Sequence, residues 1–186
     1  FVDANRIGAI GICGGGGYTI HAAMTDRRIK ALASITGVNF GRLMREGFSQ
    51  FNPVAALNAI ATQRTAEARG AERHVIDYLP PSVEQARAAG ITDIDVLGAT
   101  DYYKTPRAQQ PNGASSGLLS FNGAAVAWDA FAHAEVLLTQ PLMVVVGDQP
   151  GGFGAYRDGL EIHGRAASRV KELVVATGWN HYDLYD

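Results

Sequence analysis

A single cysteine stands inside a short glycine-rich pattern. Residues 11–15 read Gly-Ile-Cys-Gly-Gly, and Cys13 is the one cysteine among 186 residues. The spacing G-x-C-x-G is typical of a nucleophile held on a sharp turn between a strand and a helix. We expect Gly11 and Gly15 to let the strand and the helix approach each other without Cβ clashes. The pattern therefore predicts Cys13 as a nucleophile, against the alternative of a small buried side chain.

The predicted turn also suggests how the thiol would be activated. Cys13 would lie at the amino end of the following helix, where the helix dipole and free N–H groups favour a thiolate and a developing oxyanion. The backbone N–H of Gly14 is the oxyanion donor that this part of the sequence supplies. Acyl transfer is the chemistry that such an arrangement serves.

A nucleophile of this kind needs a base and an acid, and the sequence offers both after later strands. Asp148 follows the apolar run PLMVVVG, and His181 follows ELVVAT. The chain order nucleophile, acid, histidine is the order of an α/β-hydrolase triad. Asp101 and Asp183 are rival acids. The competing histidines have helical or insertion contexts, and they are His21, His74, His133 and His163.

Four apolar runs are the strands that must position these groups. They are Arg6–Cys13, Lys30–Val38, Pro141–Gly147 and Glu172–Thr177. Helical patterns over 18–24 and 153–167 alternate with them, which predicts an α/β fold with a mostly parallel sheet. Because functional groups of open α/β sheets gather at the carboxyl ends of the strands, we expect the three candidate residues to meet there.

Residues 41–123 have a different character and are predicted to form a lid or connector insertion within one domain, 1–186. Asn52-Pro53 starts one predicted helix, and the capping-box pattern at Ser82 starts a second, which should stop at Gly90. Residues 104–123 are rich in Gln, Pro, Asn, Ser and Gly and are expected to be an irregular loop. Helical spacing resumes over 124–138, where Trp128, Phe131 and Val136 could form a buried side.

The motifs at both ends resemble a known family. The stretch VDANRIGAIGICGGGGYTIHAAMTDRRIKALASITGV, with PLMVVVGD and KELVVATGWNHYDLYD, is similar to α/β-hydrolases of the dienelactone-hydrolase and YcjY-like group. The resemblance covers about the first forty and the last fifty residues and is loose between them. It implies the α/β-hydrolase fold, with helices on both faces of the sheet, and it implies Cys13 as nucleophile, His181 as base and Asp148 as acid.

The same resemblance sets an expectation about completeness. The sequence opens on Phe1 and reaches its first apolar run within six residues. In the fold that the motifs imply, the second oxyanion donor comes from a loop upstream of the nucleophile strand. We therefore expect this chain to lack the N-terminal strands, that donor and the C-terminal helix.

Composition and charge exclude several classes of function. The 16 Lys and Arg against 18 Asp and Glu give a net charge of −2, without the basic surface that nucleic acid or an anionic membrane requires. Phosphate-loop, dinucleotide and metal-binding patterns are absent from the sequence. We expect no cofactor or metal, a small-molecule ester or lactone substrate, no nucleic-acid or membrane partner, and a cytoplasmic location, and we leave a homo-oligomer open.

The leading hypothesis is a hydrolase that cleaves an ester, lactone or thioester through a Cys-His-Asp triad and an acyl-enzyme. Two alternatives remain open at this point. One is an inactive or binding-only fragment of such a hydrolase. The other is a cysteine enzyme like the glutamine amidotransferases or DJ-1, for which a histidine-glutamate pair, or a glutamate close to the cysteine, would be expected.

Overall fold

The computed structural model describes residues 2–47, 52–113 and 115–186. These residues form six strands, with helices between them. The strands are β1 (Ile7–Ile12), β2 (Ile29–Ile35), β3 (Val75–Asp77), β4 (Ser116–Leu118), β5 (Leu142–Gly147) and β6 (Lys171–Ala176). The helices are α1 (Gly14–Thr25), α2 (Phe40–Glu46), α3 (Pro53–Ala68), α4 (Val83–Ala88), α5 (Ile94–Lys104), α6 (Gly123–Ala127), α7 (Ala134–Leu137) and α8 (Ala155–Arg165).

The main sheet has the strand order β1-β2-β5-β6, and all neighbours are parallel. All four predicted strands are present, with ends within one residue of those expected, except that β2 ends at Ile35, three residues before Val38. Ile12, Ile35 and Val145 stand side by side in the register, so the carboxyl ends of the strands lie along one edge. Cys13, Thr36, Asp148 and the loop that carries His181 follow directly from this edge.

The hydrophobic core lies between one face of the sheet and the helices α1, α7 and α8. Ile20 of α1, Ile162 of α8 and Val144 of β5 belong to one buried cluster. The opposite face carries accessible apolar side chains, such as Ile10, which is 71% exposed, and Met143. The part of the chain that the structure describes therefore shows a helical layer on one face, whereas the resemblance implied helices on both.

β1 differs from its sequence pattern in burial. The apolar run 6–13 predicts a buried strand, yet β1 is the outermost strand of this sheet, and among the described residues it pairs with β2 alone. Gly11 is the buried residue of β1. An apolar run predicts which side chains a strand carries, but the position of the strand in the sheet decides whether those side chains are buried.

The predicted insertion, 41–123, is mainly helical in its described residues. Asn52 caps α3 by accepting from Ala55 N, and Ser82 caps α4 by accepting from Gln85 N, as the capping patterns predict. Gly90 follows α4 with a φ of 80°, which suits a helix stop. Residues 104–123 differ from the expected irregular loop, because β4 pairs antiparallel with β3.

The helix predicted over 124–138 is divided into α6 and α7. Trp128 is extended and ends α6, and His133 is left-handed with a φ of 69° before α7. Phe131 is buried and Trp128 packs against the core, as expected, but Val136 is 67% exposed. The helical spacing of these fifteen residues does not predict the two breaks at Trp128 and His133, since Trp and His also occur within helices. Among the described residues, no helix is both long and apolar enough to cross a membrane.

Candidate active site

Cys13 has the strained backbone that its sequence pattern predicts. Its φ of 55° and ψ of −128° lie outside the regions that non-glycine residues normally occupy. Backbone hydrogen bonds hold this conformation on both sides: Cys13 N donates to Ile35 O, and Cys13 O accepts from Gly16 N and Val38 N. The turn fixes the thiol at the carboxyl edge of the sheet, at the start of α1.

The glycines around Cys13 act differently from one another. A Cβ atom on Gly11 would overlap the carbonyl oxygen of Gly15, so this position requires glycine. A Cβ on Gly15 itself would meet open space, and the expectation that Gly15 permits close packing is therefore wrong. The close approach occurs one and two residues later, where a Cβ on Gly16 would lie 2.5 Å from Gly37 Cα and one on Gly17 would overlap Val38 O.

Burial raises the pKa of the Cys13 thiol above its usual value. Hydrogen bonds from the Tyr185 hydroxyl and the Gly14 backbone N–H act in the opposite direction, and the nearby carboxylate of Asp95 raises the pKa further. The net shift raises the pKa of Cys13 and so disfavours the thiolate that the sequence predicts, because the loss of water around the sulfur outweighs the two hydrogen-bond donors. The resting thiol is neutral at pH 7.

His181 is 4% exposed and lies at the same edge, on the loop after β6. Its Nδ1 is 2.8 Å from Thr36 Oγ1, and its Nε2 is 3.3 Å from the Tyr185 hydroxyl. The rings of Phe153, Tyr182 and Tyr185 surround the imidazole. Burial lowers the pKa of His181 to about 4, so the ring is neutral at pH 7 and able to accept a proton.

The Tyr185 hydroxyl joins the two predicted residues. It hydrogen-bonds the Cys13 thiol and also contacts Nε2 of His181. A hydroxyl can donate one proton and accept another at the same time. The structure thus brings Cys13 and His181 together through an intervening phenol, a residue that the sequence reasoning missed because the motifs of this fold assign no role to it.

Asp148 lies at the predicted place in the chain, directly after β5, but its side chain bonds to the backbone. Its Oδ1 accepts from Gly178 N at 2.6 Å and from the Gln149 side chain at 3.2 Å. Within the described residues, the hydrogen-bond partners of the His181 ring are Thr36 and Tyr185. Asp148 therefore holds the loop that carries His181.

The rival acids have other partners. Asp101 forms an ion pair with Arg107, and Asp183 accepts from Asn180 N. A different carboxylate, Asp95 at the start of α5, is 2% exposed and lines a narrow cleft together with Thr36 and His181. In the sequence, Asp93 and Asp95 are both ordinary residues for the start of a helix. No local pattern distinguishes Asp95 from an exposed helix-capping residue.

No family model matches the sequence. The chain is 36% identical along its whole length to the uncharacterized protein YcjY of Escherichia coli strain K12, and it spans 60% of that protein. It is 29% identical to PA2218 of Pseudomonas aeruginosa, of which it spans 49%.

Two solved structures have the same arrangement of strands and helices. The crystal structure of PA2218 aligns with the whole chain at a TM-score of 0.83 and 23% identity, and 57% of that protein is covered. The α/β hydrolase GrgF from Penicillium sp. sh18 aligns with 98% of the chain at a TM-score of 0.62 and 16% identity, with 58% covered. The chain therefore has the α/β-hydrolase fold, as the sequence predicts.

Proposed function

We propose that this protein is a cysteine-dependent hydrolase of carboxylic esters, lactones or thioesters, with Cys13 as nucleophile and His181 as base. The observation that carries the proposal is the strained Cys13 at a strand-helix junction, connected through the Tyr185 hydroxyl to a buried, neutral His181. The α/β-hydrolase fold supports this reaction class, and the likeness of the motifs to dienelactone hydrolases supports small esters and lactones as substrates.

Both partners are neutral before the attack, so the thiol proton has to move while the sulfur bonds to the carbonyl carbon. As the sulfur forms its bond to the carbonyl carbon, the Tyr185 hydroxyl turns from the sulfur to His181. Its oxygen accepts the thiol proton, and its own proton passes to His181 Nε2. The resulting oxyanion accepts a hydrogen bond from Gly14 N–H. When the tetrahedral intermediate collapses, the bond to the leaving oxygen or sulfur breaks and this atom receives the proton from the imidazolium, which leaves an acyl-thioester on Cys13.

Water then hydrolyses the acyl-thioester, again with His181 as base. His181 accepts a proton from water as the water oxygen bonds to the acyl carbon, and the proton returns to the sulfur when the carbon-sulfur bond breaks. The product is a carboxylic acid, and no redox partner is needed. Asp148 as the orienting acid of His181 stays a prediction, as does a cytoplasmic location.

The alternatives make different demands. A glutamine amidotransferase-like or DJ-1-like enzyme would use a histidine-glutamate pair or a glutamate close to the cysteine, whereas the acidic group that influences the Cys13 thiol is Asp95. The α/β-hydrolase fold also argues against that class. A binding-only module would keep the same pocket without turnover, and a hydrolysis assay distinguishes it from an enzyme.

The test is hydrolysis of p-nitrophenyl acetate by the protein and by its Cys13→Ala variant. We expect a burst of p-nitrophenol, an added acetyl group on Cys13 detected by intact mass, and loss of both in the variant. Alkylation of Cys13 with iodoacetamide should also abolish hydrolysis. Full activity after alkylation would disprove the role of Cys13, and a folded protein without burst or turnover would identify a binding module.

A further inference from the structure

Thr36 is a β-branched residue in a conformation that such residues avoid. Its φ is 42°, in the left-handed region, and its side chain is 1% exposed. The hydrogen bond from Thr36 N to Val145 O, 2.7 Å long, fixes it directly after β2. Strain at a buried polar residue persists where the surrounding structure imposes it, and it concentrates at functional sites. Here the strained backbone aims Oγ1 at Nδ1 of His181, 2.8 Å away.

Asp95 is the second unusual group in this region. Oδ2 of its carboxylate accepts from Phe153 N at 2.9 Å, while Oδ1 is buried without a hydrogen-bond partner among the described residues. The backbone of Gly151 packs directly against the carboxylate, so that even a Cβ there would overlap it. An unsatisfied buried carboxylate oxygen costs free energy, which makes its position in this cleft unexpected for a purely structural residue.

The two residues face one cleft. Thr36, Asp95 and His181 all line it, with about 10 Å³ of free volume, which suits one water molecule. If Nδ1–H of His181 donates to Thr36 Oγ1, the threonine hydroxyl has its own proton left to donate. The acceptor on the cleft wall that lacks a partner is Asp95 Oδ1.

We propose that Thr36 and Asp95 are the positioning residues of His181: Nδ1–H donates to Thr36 Oγ1, and the Thr36 hydroxyl donates to Asp95 Oδ1 through one water in the cleft. These hydrogen bonds fix the His181 tautomer that leaves Nε2 free to accept a proton, and Asp95 stabilises the imidazolium formed during the reaction. Asp148 then serves to anchor the loop. The inference rests on the proposed function, since it assigns partners to the same histidine.

The test compares two substitutions at Thr36. Thr36→Val keeps the shape and the branching but removes the hydroxyl, whereas Thr36→Ser keeps the hydroxyl. For p-nitrophenyl acetate hydrolysis we expect Thr36→Val to lower kcat roughly tenfold to hundredfold with KM within about twofold, and Thr36→Ser to keep most of kcat. The control is Thr100→Val, because Thr100 is equally buried and donates to Val96 O on α5; it should leave kcat unchanged.

Asp95→Asn and Asp148→Asn test the acid. We expect Asp95→Asn to lower kcat more than Asp148→Asn does, and to add little in the double variant with Thr36→Val, since the two residues act as one unit. Equal rates for Thr36→Val and Thr36→Ser, or a larger loss for Asp148→Asn, would overturn the inference. If Asp95→Asn does not fold, the Thr36 pair decides alone. Failure of the proposed function itself would appear separately, as hydrolysis that survives Cys13→Ala.

Discussion

Tyr185 contacts both reacting groups of the proposed site, the Cys13 thiol and His181 Nε2. Its ring packs against those of Tyr102 and Tyr182, which hold the hydroxyl in place. Burial raises the pKa of Tyr185 above its usual value, so the phenol stays protonated and can pass protons in either direction. At the scale of single residues, the proposed proton transfer depends on this hydroxyl.

Tyr185→Phe removes that connection and leaves the ring. Because the Tyr185 hydrogen bond lowers the pKa of Cys13, its loss should raise this pKa, and half-maximal alkylation by iodoacetamide should move to higher pH. We expect kcat/KM for p-nitrophenyl acetate to fall roughly tenfold or more. The control is Tyr78→Phe, whose hydroxyl bonds to Asn122 outside the site. An unchanged alkylation profile would contradict a bond between Tyr185 and the thiol.

At the scale of elements, the junction of β1 and α1 depends on glycines of unequal importance. Gly16 faces Ser34, near the end of β2, and Gly37, in the segment that follows β2. Because Gly16 has no side chain, α1 can lie directly against the sheet. Gly15 lies one position earlier in the same helical turn and faces open space. Adjacent glycines in one helical turn thus serve different purposes, because successive helix positions point about 100° apart.

A pair of alanine variants separates these purposes. We expect Gly16→Ala to destabilise the protein by about 1–3 kcal/mol, because its Cβ would lie 2.5 Å from Gly37 Cα and 2.6 Å from Ser34 Oγ. Gly15→Ala should be neutral or stabilising by up to about 1 kcal/mol, since alanine favours the helix. Urea unfolding of both variants measures the difference. Equal destabilisation by the two would contradict the described packing of α1.

At the scale of the whole molecule, a buried ion pair connects α2, at the start of the predicted insertion, to α8 of the core. Arg42 Nε lies 2.7 Å from Asp158 Oδ1, and Asp158 also accepts from Asn39 N. Asp158 is fully buried, and burial raises the pKa of its carboxyl while Arg42 opposes this effect. The guanidinium further donates to Phe153 O, next to the cleft.

Arg42→Ala should therefore be costly, because it leaves the buried carboxylate of Asp158 without its countercharge. We expect a loss of roughly 3–5 kcal/mol in the free energy of unfolding, measured by urea denaturation. Arg28→Ala is the matched control, since Arg28 forms its ion pair with Asp26 on the surface, and it should change stability by less than about 1 kcal/mol. Similar effects of the two variants would show that the α2–α8 connection contributes little.

Local patterns in the sequence were sufficient for the parallel strands, the strained turn at Cys13 and the position of His181. Apolar runs, glycine spacing and helix caps act over a few residues, and that range explains their success. The same patterns failed at Gly15, Val136 and residues 104–123, where exposure and pairing depend on segments distant in the chain.

Only the tertiary structure decided which side chains lie beside the proposed reacting groups. Thr36, Asp95 and Tyr185 come from a strand end, a helix start and a terminal loop, and no sequence spacing connects them. Their roles follow from burial, which removes water from the polar groups at the strand edge and leaves each hydroxyl or carboxylate to find a partner within the protein. The sequence thus predicted which residue would attack and which would accept the proton, and only the tertiary structure decided which side chains lie beside them.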